Sequence, residues 1–189
     1  ALFGVDVRDE HALISASDIL RGTIEMHHRE GQMEKHDRDM LDGILELEEI
    51  EVEEVMVHRK QIEGLDIEKD VQHLINDAIN SPHSRLPVYE SDYNRIIGIL
   101  HVKRLLQLIH RKGRSSITQQ DIRNTLIKPW YIPSTTSLKE QLYAFRQKRQ
   151  HFALVVDEYG DLQGIVTLED IIEEIVGEID DEHDKIDLS

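Results

Sequence analysis

Thr167 and Asp170 stand three residues apart, just where the apolar run 164–166 gives way to a helical pattern. Leu168, Ile171, Ile172, Ile175 and Val176 then recur at spacings of three and four, which predicts an amphipathic helix with Glu169, Asp170, Glu173 and Glu174 off its apolar stripe. Gly177 offers a stop. A helix start carries unpaired backbone N–H groups and a partial positive charge, so a threonine hydroxyl there is a seat for a phosphate. The carboxylate of Asp170 is a group that can accept from both hydroxyls of a sugar diol. The same Thr-x-x-Asp spacing is close to an ordinary capping box, in which the side chains satisfy the helix's own first amides for about 1 kcal/mol. On these four residues alone both readings stand.

The elements that must position this pair come from a chain of 189 residues, 39% hydrophobic and 32% charged, a globular composition. A formal net charge of -16 argues against a nucleic-acid partner, because the surface as a whole repels a phosphate backbone. Without cysteine there is no disulfide, no thiolate nucleophile and no Cys-based zinc site. No apolar run approaches the roughly 20 residues that span a bilayer. The chain opens at Ala1 without an initiator Met and closes after an acidic run, so both ends read as cuts within a longer protein.

Two helices are expected within 15–48. The first is opened by Ser15 or Ser17 and carries Ile19, Leu20, Ile24 and Met26; the second carries Met40, Leu41, Ile44, Leu45 and Leu47. Residues 1–48 thus read as a helical arm. From 49 onward the pattern becomes a repeat. A helix over Val71, Leu74, Ile75 and Ala78 leads to a strand at 86–89, a turn at 90–94, a strand at 96–100 and a helix from Val102 that ends by Gly113. The same order returns after 126: Tyr131 and Ile132, a helix through Leu138, Leu142 and Phe145 capped by Ser137, a strand at 152–156, a turn with Gly160, and a strand at 162–166. Gly98 and Gly164 coincide at an offset of 66 (164 − 98 = 66). Residues 115–126 read as a short helical linker, and 182–189 as an acidic tail. Units this small rarely bury a sheet alone, so the two are expected to pack face to face about a pseudo-twofold axis.

A tandem β-α-β-β-α repeat ending in Gly-Ile-Val-Thr-Leu-Glu-Asp-Ile-Ile-Glu-Glu-Ile-Val-Gly-Glu-Ile resembles the CBS-domain pair, or Bateman module. Glu-Val-Met-Val-His-Arg at 54–59, Ser-Arg-Leu-Pro-Val-Tyr at 84–89, Gly-Ile-Leu-His-Val-Lys at 98–103 and Ala-Leu-Val-Val-Asp-Glu-Tyr-Gly at 153–160 sharpen the resemblance to the CorC/HlyC and CNNM group of magnesium and cobalt transport-associated proteins. The fold class implied is α/β, with CBS repeats at 49–114 and 115–181 behind the helical arm.

The resemblance implies a cytoplasmic regulatory module that follows a membrane domain of the same chain, dimerises through its CBS pairs and binds an adenine nucleotide, ATP or AMP, with or without Mg2+. It implies no catalytic residues and no protein-held metal. Carried over by position, Thr167 lies near phosphate, Asp170 on the ribose and Arg85 near the phosphates, with Ser84, Val57 and Val166 completing the nucleotide-binding set. In the first repeat the equivalents of Thr167 and Asp170 are His101 and Arg104, so one competent cleft is expected, not two. Arg85 has an alternative as the surface partner of Glu90 or Asp92. The rival function is a structural dimerisation module whose cleft is degenerate and empty. No nucleotide-loop or nucleophile-elbow motif supports an enzyme. A metal site at His27, His28 and His36 has little behind it, since adjacent histidines point to different faces of a helix.

Overall fold

The structure, a computed structural model, describes residues 16–177. Ser15 and the acidic tail at 182–189 lie outside the described residues. Of those described, 16–49 and 172–177 form one compact unit and 50–171 another.

In the first unit, α1 (Ala16–Arg29) and α2 (Lys35–Glu46) are joined through a turn at Gly31, which takes a positive φ of 71°. No residue of α1 is buried. No described helix is long and apolar enough to cross a membrane.

The second unit opens with α3 (Val52–Val55) and a two-residue strand, β1 (Val57–His58). The first repeat is β2 (Leu65–Asp66), α4 (Val71–Asn80), β3 (Arg85–Glu90), β4 (Asp92–His101) and α5 (Val102–Lys112). After α6 (Gln119–Thr125) comes the second: β5 (Tyr131–Pro133), α7 (Leu138–Lys148), β6 (Phe152–Val156), β7 (Leu162–Thr167) and α8 (Leu168–Val176). In each repeat the first strand lies parallel to the second and the second antiparallel to the third, giving sheets ordered β2-β3-β4 and β1-β7-β6-β5.

Each repeat lends an edge to the other. β1, from before the first repeat, pairs with β7 of the second, Val57 opposite Ile165 and His58 opposite Gly164. Reciprocally, Ile127 from before the second repeat bridges Ile99 of β4 through two 2.9 Å backbone hydrogen bonds. Glycine is required at both receiving positions. A Cβ on Gly164 would lie 2.5 Å from the Val57 carbonyl oxygen, and one on Gly98 would lie 2.6 Å from Leu126 Cβ. The 66-residue glycine offset therefore marks a reciprocal strand exchange.

Both faces of each sheet are covered, which is why the strands read as nearly unbroken apolar runs. One face of β3 and β4 sends Leu86, Val88 and Leu100 into a core with Leu74, Ile75 and Ala78 of α4 and Leu105 and Leu108 of α5. The other face sends Ile96 and Ile99 against Leu154 and Leu162, joining the repeats. Burying each such Leu or Ile stabilises by about 1.5–3 kcal/mol.

Two expectations change in detail. The turn foreseen over 90–94 is tighter: Glu90 pairs with Asp92, and Ser91 alone makes the corner with φ at 62°. The 115–126 segment is more than a linker, because Ile117 and Ile122 are buried in the first repeat's core. The polar residues around these two leave an amphipathic pattern too short for a window of this length to resolve.

Candidate functional site

The β-to-α junction of the second repeat folds as the sequence suggests. Asp170 Oδ2 accepts from the Thr167 amide at 2.7 Å and from the Thr167 hydroxyl at 2.8 Å, while the Asp170 amide donates back to the hydroxyl at 3.3 Å. This is a reciprocal capping box. The Leu168 amide donates to the His151 carbonyl at 3.1 Å, so two of the first amides of α8 are already engaged.

The chain contains its own control for that motif. Thr118 and Asp121 at the start of α6 form the same box, with distances of 2.9, 2.8 and 3.2 Å. There the second carboxylate oxygen is closed by Lys112, whose ammonium lies 2.5 Å from Asp121 Oδ1. That ammonium, with the Thr118 donors, holds the Asp121 carboxyl down at about 2. Asp170 Oδ1 has no hydrogen-bond partner among the described residues, and Asp170 lines a cavity. Capping uses one oxygen and leaves the other for a ligand, so the two readings of Thr-x-x-Asp are compatible.

That cavity has a volume of about 320 Å³. It gathers Val57, Ser84, Arg85, Thr167 and Asp170 from three separate stretches of chain. Strand register explains the set. Val57 faces Ile165 across β1 and β7, Phe152 faces Thr167 across β6 and β7, and all four line the cavity because cross-strand partners share a face. Val166 sits between Ile165 and Thr167 on the opposite face, fully buried beside Ala153, and is not among the lining residues. Gln61, Ile62, Glu63, Pro82, His83 and Pro87, which the sequence reading missed, also line it, together with Glu169. Ile165 was within reach of period-two reasoning from Thr167; Ile62 and Glu63, about a hundred residues away, were not.

Arg85 makes no ion pair among the described residues. Of the two carboxylates suggested as its surface partner, Asp92 accepts from the Asn94 amide at 3.0 Å, and Glu90 is held by Arg123 and by Arg95 at 3.3 Å, cations that keep the Glu90 carboxyl below its usual range. Arg85, without an ion pair, lines the cavity. In the first repeat the position equivalent to Thr167 is His101, whose Nδ1 accepts from the Lys103 amide at 3.3 Å. Burial, with Arg85, Arg104 and Lys103 nearby, lowers the imidazole's pKa and favours the neutral, capping form.

The chemistry available is thus a carboxylate with one free oxygen, an unpaired guanidinium and apolar walls from Val57, Ile62, Pro87, Phe152 and Ile165. Those groups fit a nucleotide: a planar base, a sugar diol and a phosphate. The volume is at the lower end of small-molecule sites, which run from about 300 to 1,000 Å³.

The CBS-domain family model matches twice, at residues 52–111 and 117–177. The chain is a tandem CBS-domain pair. It is 35% identical over 156 residues to the magnesium and cobalt efflux protein CorC of Pasteurella multocida, which covers 82% of this chain and 51% of that protein. An Escherichia coli inner membrane protein, YfjD, is also 35% identical, over 81% of this chain and 35% of its own length. The chain therefore spans about half or less of the curated relatives it matches. The solved CBS domain of a bacterial CNNM/CorC family Mg2+ transporter superposes with a TM-score of 0.78 at 31% identity, over 87% of this chain and 98% of that one. A CBS domain from that transporter family in complex with ATP gives 0.67 at 35%, over 75% and 97%. A CBS-domain pair from Klebsiella pneumoniae with bound AMP gives 0.64 at 36%, over 68% and 99%. The chain belongs to the CorC and CNNM family of magnesium and cobalt transport-associated CBS proteins.

Proposed function

We propose that this CBS pair is a regulatory module that binds an adenine nucleotide, AMP or ATP with Mg2+, in the cavity between β1, β3, β7 and the start of α8. The observation that carries the reading is the convergence of Asp170, with one carboxylate oxygen free, and unpaired Arg85 on one cavity of about 320 Å³. The ribose diol donates to Asp170, the phosphates face Arg85, and the base lies against Val57, Ile62 and Ile165. Because Glu63, Glu169 and Asp170 also line the cavity, a polyphosphate meets like charge there. Mg2+ carried in on the phosphates offsets that repulsion, keeping most of its waters. AMP needs less compensation. Relatives solved with ATP and with AMP support the ligand class.

The module acts as a homodimer on the cytoplasmic face of the membrane, tethered to a membrane domain of the same full-length protein. Support comes from the inner-membrane relative and from apolar side chains left exposed on three helices, Ile79 of α4, Leu106 of α5 and Tyr143 of α7. Nucleotide regulates only through different affinities for two arrangements of that dimer. The module carries out no catalysis. A second reading, a structural dimerisation module with an empty cleft, draws on one observation: Thr167 and Asp170 already satisfy each other.

Titration calorimetry with AMP, ADP and ATP, each with and without Mg2+, tests the proposal. Saturable binding that Thr167→Ile and Asp170→Ala abolish or greatly weaken is expected. No heat and no thermal shift with any nucleotide would leave the scaffold reading.

A further inference from the structure

The last turn of α8 meets α2 backbone to backbone. Gly43 is the one buried residue of α2, and a Cβ there would lie 2.9 Å from the Glu174 carbonyl oxygen, 3.0 Å from that of Ile175 and 3.1 Å from Ile175 Cα. All three are backbone atoms, which cannot swing aside as the end of a side chain can. A glycine inside a helix is a poor helix former, so its place in the middle of α2 answers to this close approach. Gly43, Glu174 and Ile175 belong to the first compact unit, whereas Asp170, in the first turn of the same α8, belongs to the second.

α8 is poorly equipped to hold its far end alone. It has nine residues, and isolated helices shorter than about 12–15 residues are marginal. Glu169, Asp170, Glu173 and Glu174 repel one another along it, and its last turn has no basic residue, so Glu173 and Glu174 sit where the helix dipole disfavours them. Ile171 is its only buried residue. At the start it is held by the Thr167 and Asp170 box. At the end it is held by the Gly177 amide, which donates to the Glu173 carbonyl at 2.8 Å, and by the seat on Gly43. Helix formation is cooperative, so whatever fixes the first turn of so short a helix also orders the last.

We propose that α8 is a relay: a ligand bound at Asp170 steadies the helix, its steadied last turn seats α2, and occupancy of the cavity is thereby read out at the helical arm. Gly43 is the positioning residue at the receiving end. Nucleotide as the input rests on the function proposed above. The link itself does not, because anything that steadies or loosens the first turn of α8 is felt at α2. Coupling between sites is reciprocal, so α2 seated on α8 also raises affinity at Asp170.

Hydrogen exchange followed by mass spectrometry on this chain tests the relay, with AMP as the probe and Gly43→Ala, Asp170→Ala and Asp121→Ala as variants. Alanine is the better helix former, so if Gly43 were merely tolerated, Gly43→Ala would slow exchange across α2. The relay predicts the opposite: exchange at least about fivefold faster over α2 and the last turn of α8, because the methyl unseats the pair. Saturating AMP should slow exchange over both α8 and α2 in the original chain. In Gly43→Ala it should slow only the start of α8 and bind at least about fivefold more weakly. Without nucleotide, Asp170→Ala should speed exchange over α2, and Asp121→Ala, which removes the same box from α6, should leave α2 as it was. AMP that protects α8 but not α2 in the original chain overturns the relay, as does a Gly43→Ala variant with slower α2 exchange and unaltered AMP affinity. If AMP binds neither the original chain nor any variant, the nucleotide reading fails by itself. Asp170→Ala without nucleotide then decides, faster α2 exchange upholding the relay and unchanged α2 exchange overturning it.

Discussion

Asp170→Asn separates capping from ligand binding, because the two oxygens of Asp170 have different work. Oδ2 accepts both Thr167 donors, at 2.7 and 2.8 Å, and an asparagine carbonyl can take over that role. What capping loses is the carboxylate charge in the first turn of α8, a charge–dipole contribution of about 0.3–1 kcal/mol. The other oxygen becomes an amide, which can no longer accept from the sugar diol. Hydrogen bonds to a charged acceptor are worth about 1.5–3 kcal/mol each, so losing two costs about 3 kcal/mol or more. At about 1.4 kcal/mol per factor of ten, affinity for AMP falls at least about 100-fold. Calorimetry measures the binding and urea unfolding the stability. Asp121→Asn is the matched control: it removes the carboxylate from the identical box at α6, touches no part of the cavity, and should leave AMP affinity unchanged. Binding by Asp170→Asn within threefold of the original chain would refute the assignment of Asp170 to the ribose, as would a fall in affinity explained by loss of folded protein.

Further tests bear on the framework. Gly164→Ala places a methyl 2.5 Å from the Val57 carbonyl, a backbone atom, whereas Gly98→Ala meets the Leu126 side chain. The first should destabilise more, by about 1–3 kcal/mol in urea unfolding, and should also weaken nucleotide binding because it displaces β1. His101 gives a pH dependence. With its folded pKa below the ordinary 6.5, the unfolded chain takes up the proton first as pH falls, so this residue's share of stability is present above pH 6.5 and lost as pH drops through the folded value. His101→Gln should therefore flatten the stability profile below pH 6.5 relative to the original chain; an unchanged slope contradicts the crowding of cations at His101. Asp121 should remain ionised down to about pH 2, where its carboxyl carbon resonance shifts in NMR, and titration near the usual 3.8 would mean the Lys112 contact is not made.

The sequence made visible what is local and periodic. The Thr-x-x-Asp junction, the helices whose apolar residues recur at three and four, and the glycine offset that announces the repeat all lie within short windows. Strand exchange was invisible, because β1 has two residues and no pattern can mark so short a segment; its trace was the two glycines, legible only once Val57 and Leu126 are seen against them. Ser84, Arg85 and Val57 came from resemblance to a family, and register shows why Val57 joins Ile165 and Thr167 at one cavity while Val166 turns into the core. Ile62 and Glu63 belong to the cavity through tertiary packing alone.

A crystal structure of this chain grown with saturating AMP is the most direct measurement. The account predicts the adenosine between the repeats, its ribose hydroxyls within hydrogen-bonding distance of Asp170 Oδ1 and its phosphate beside Arg85. A cavity filled only by solvent at saturating nucleotide, or a nucleotide bound elsewhere with Asp170 untouched, would contradict it.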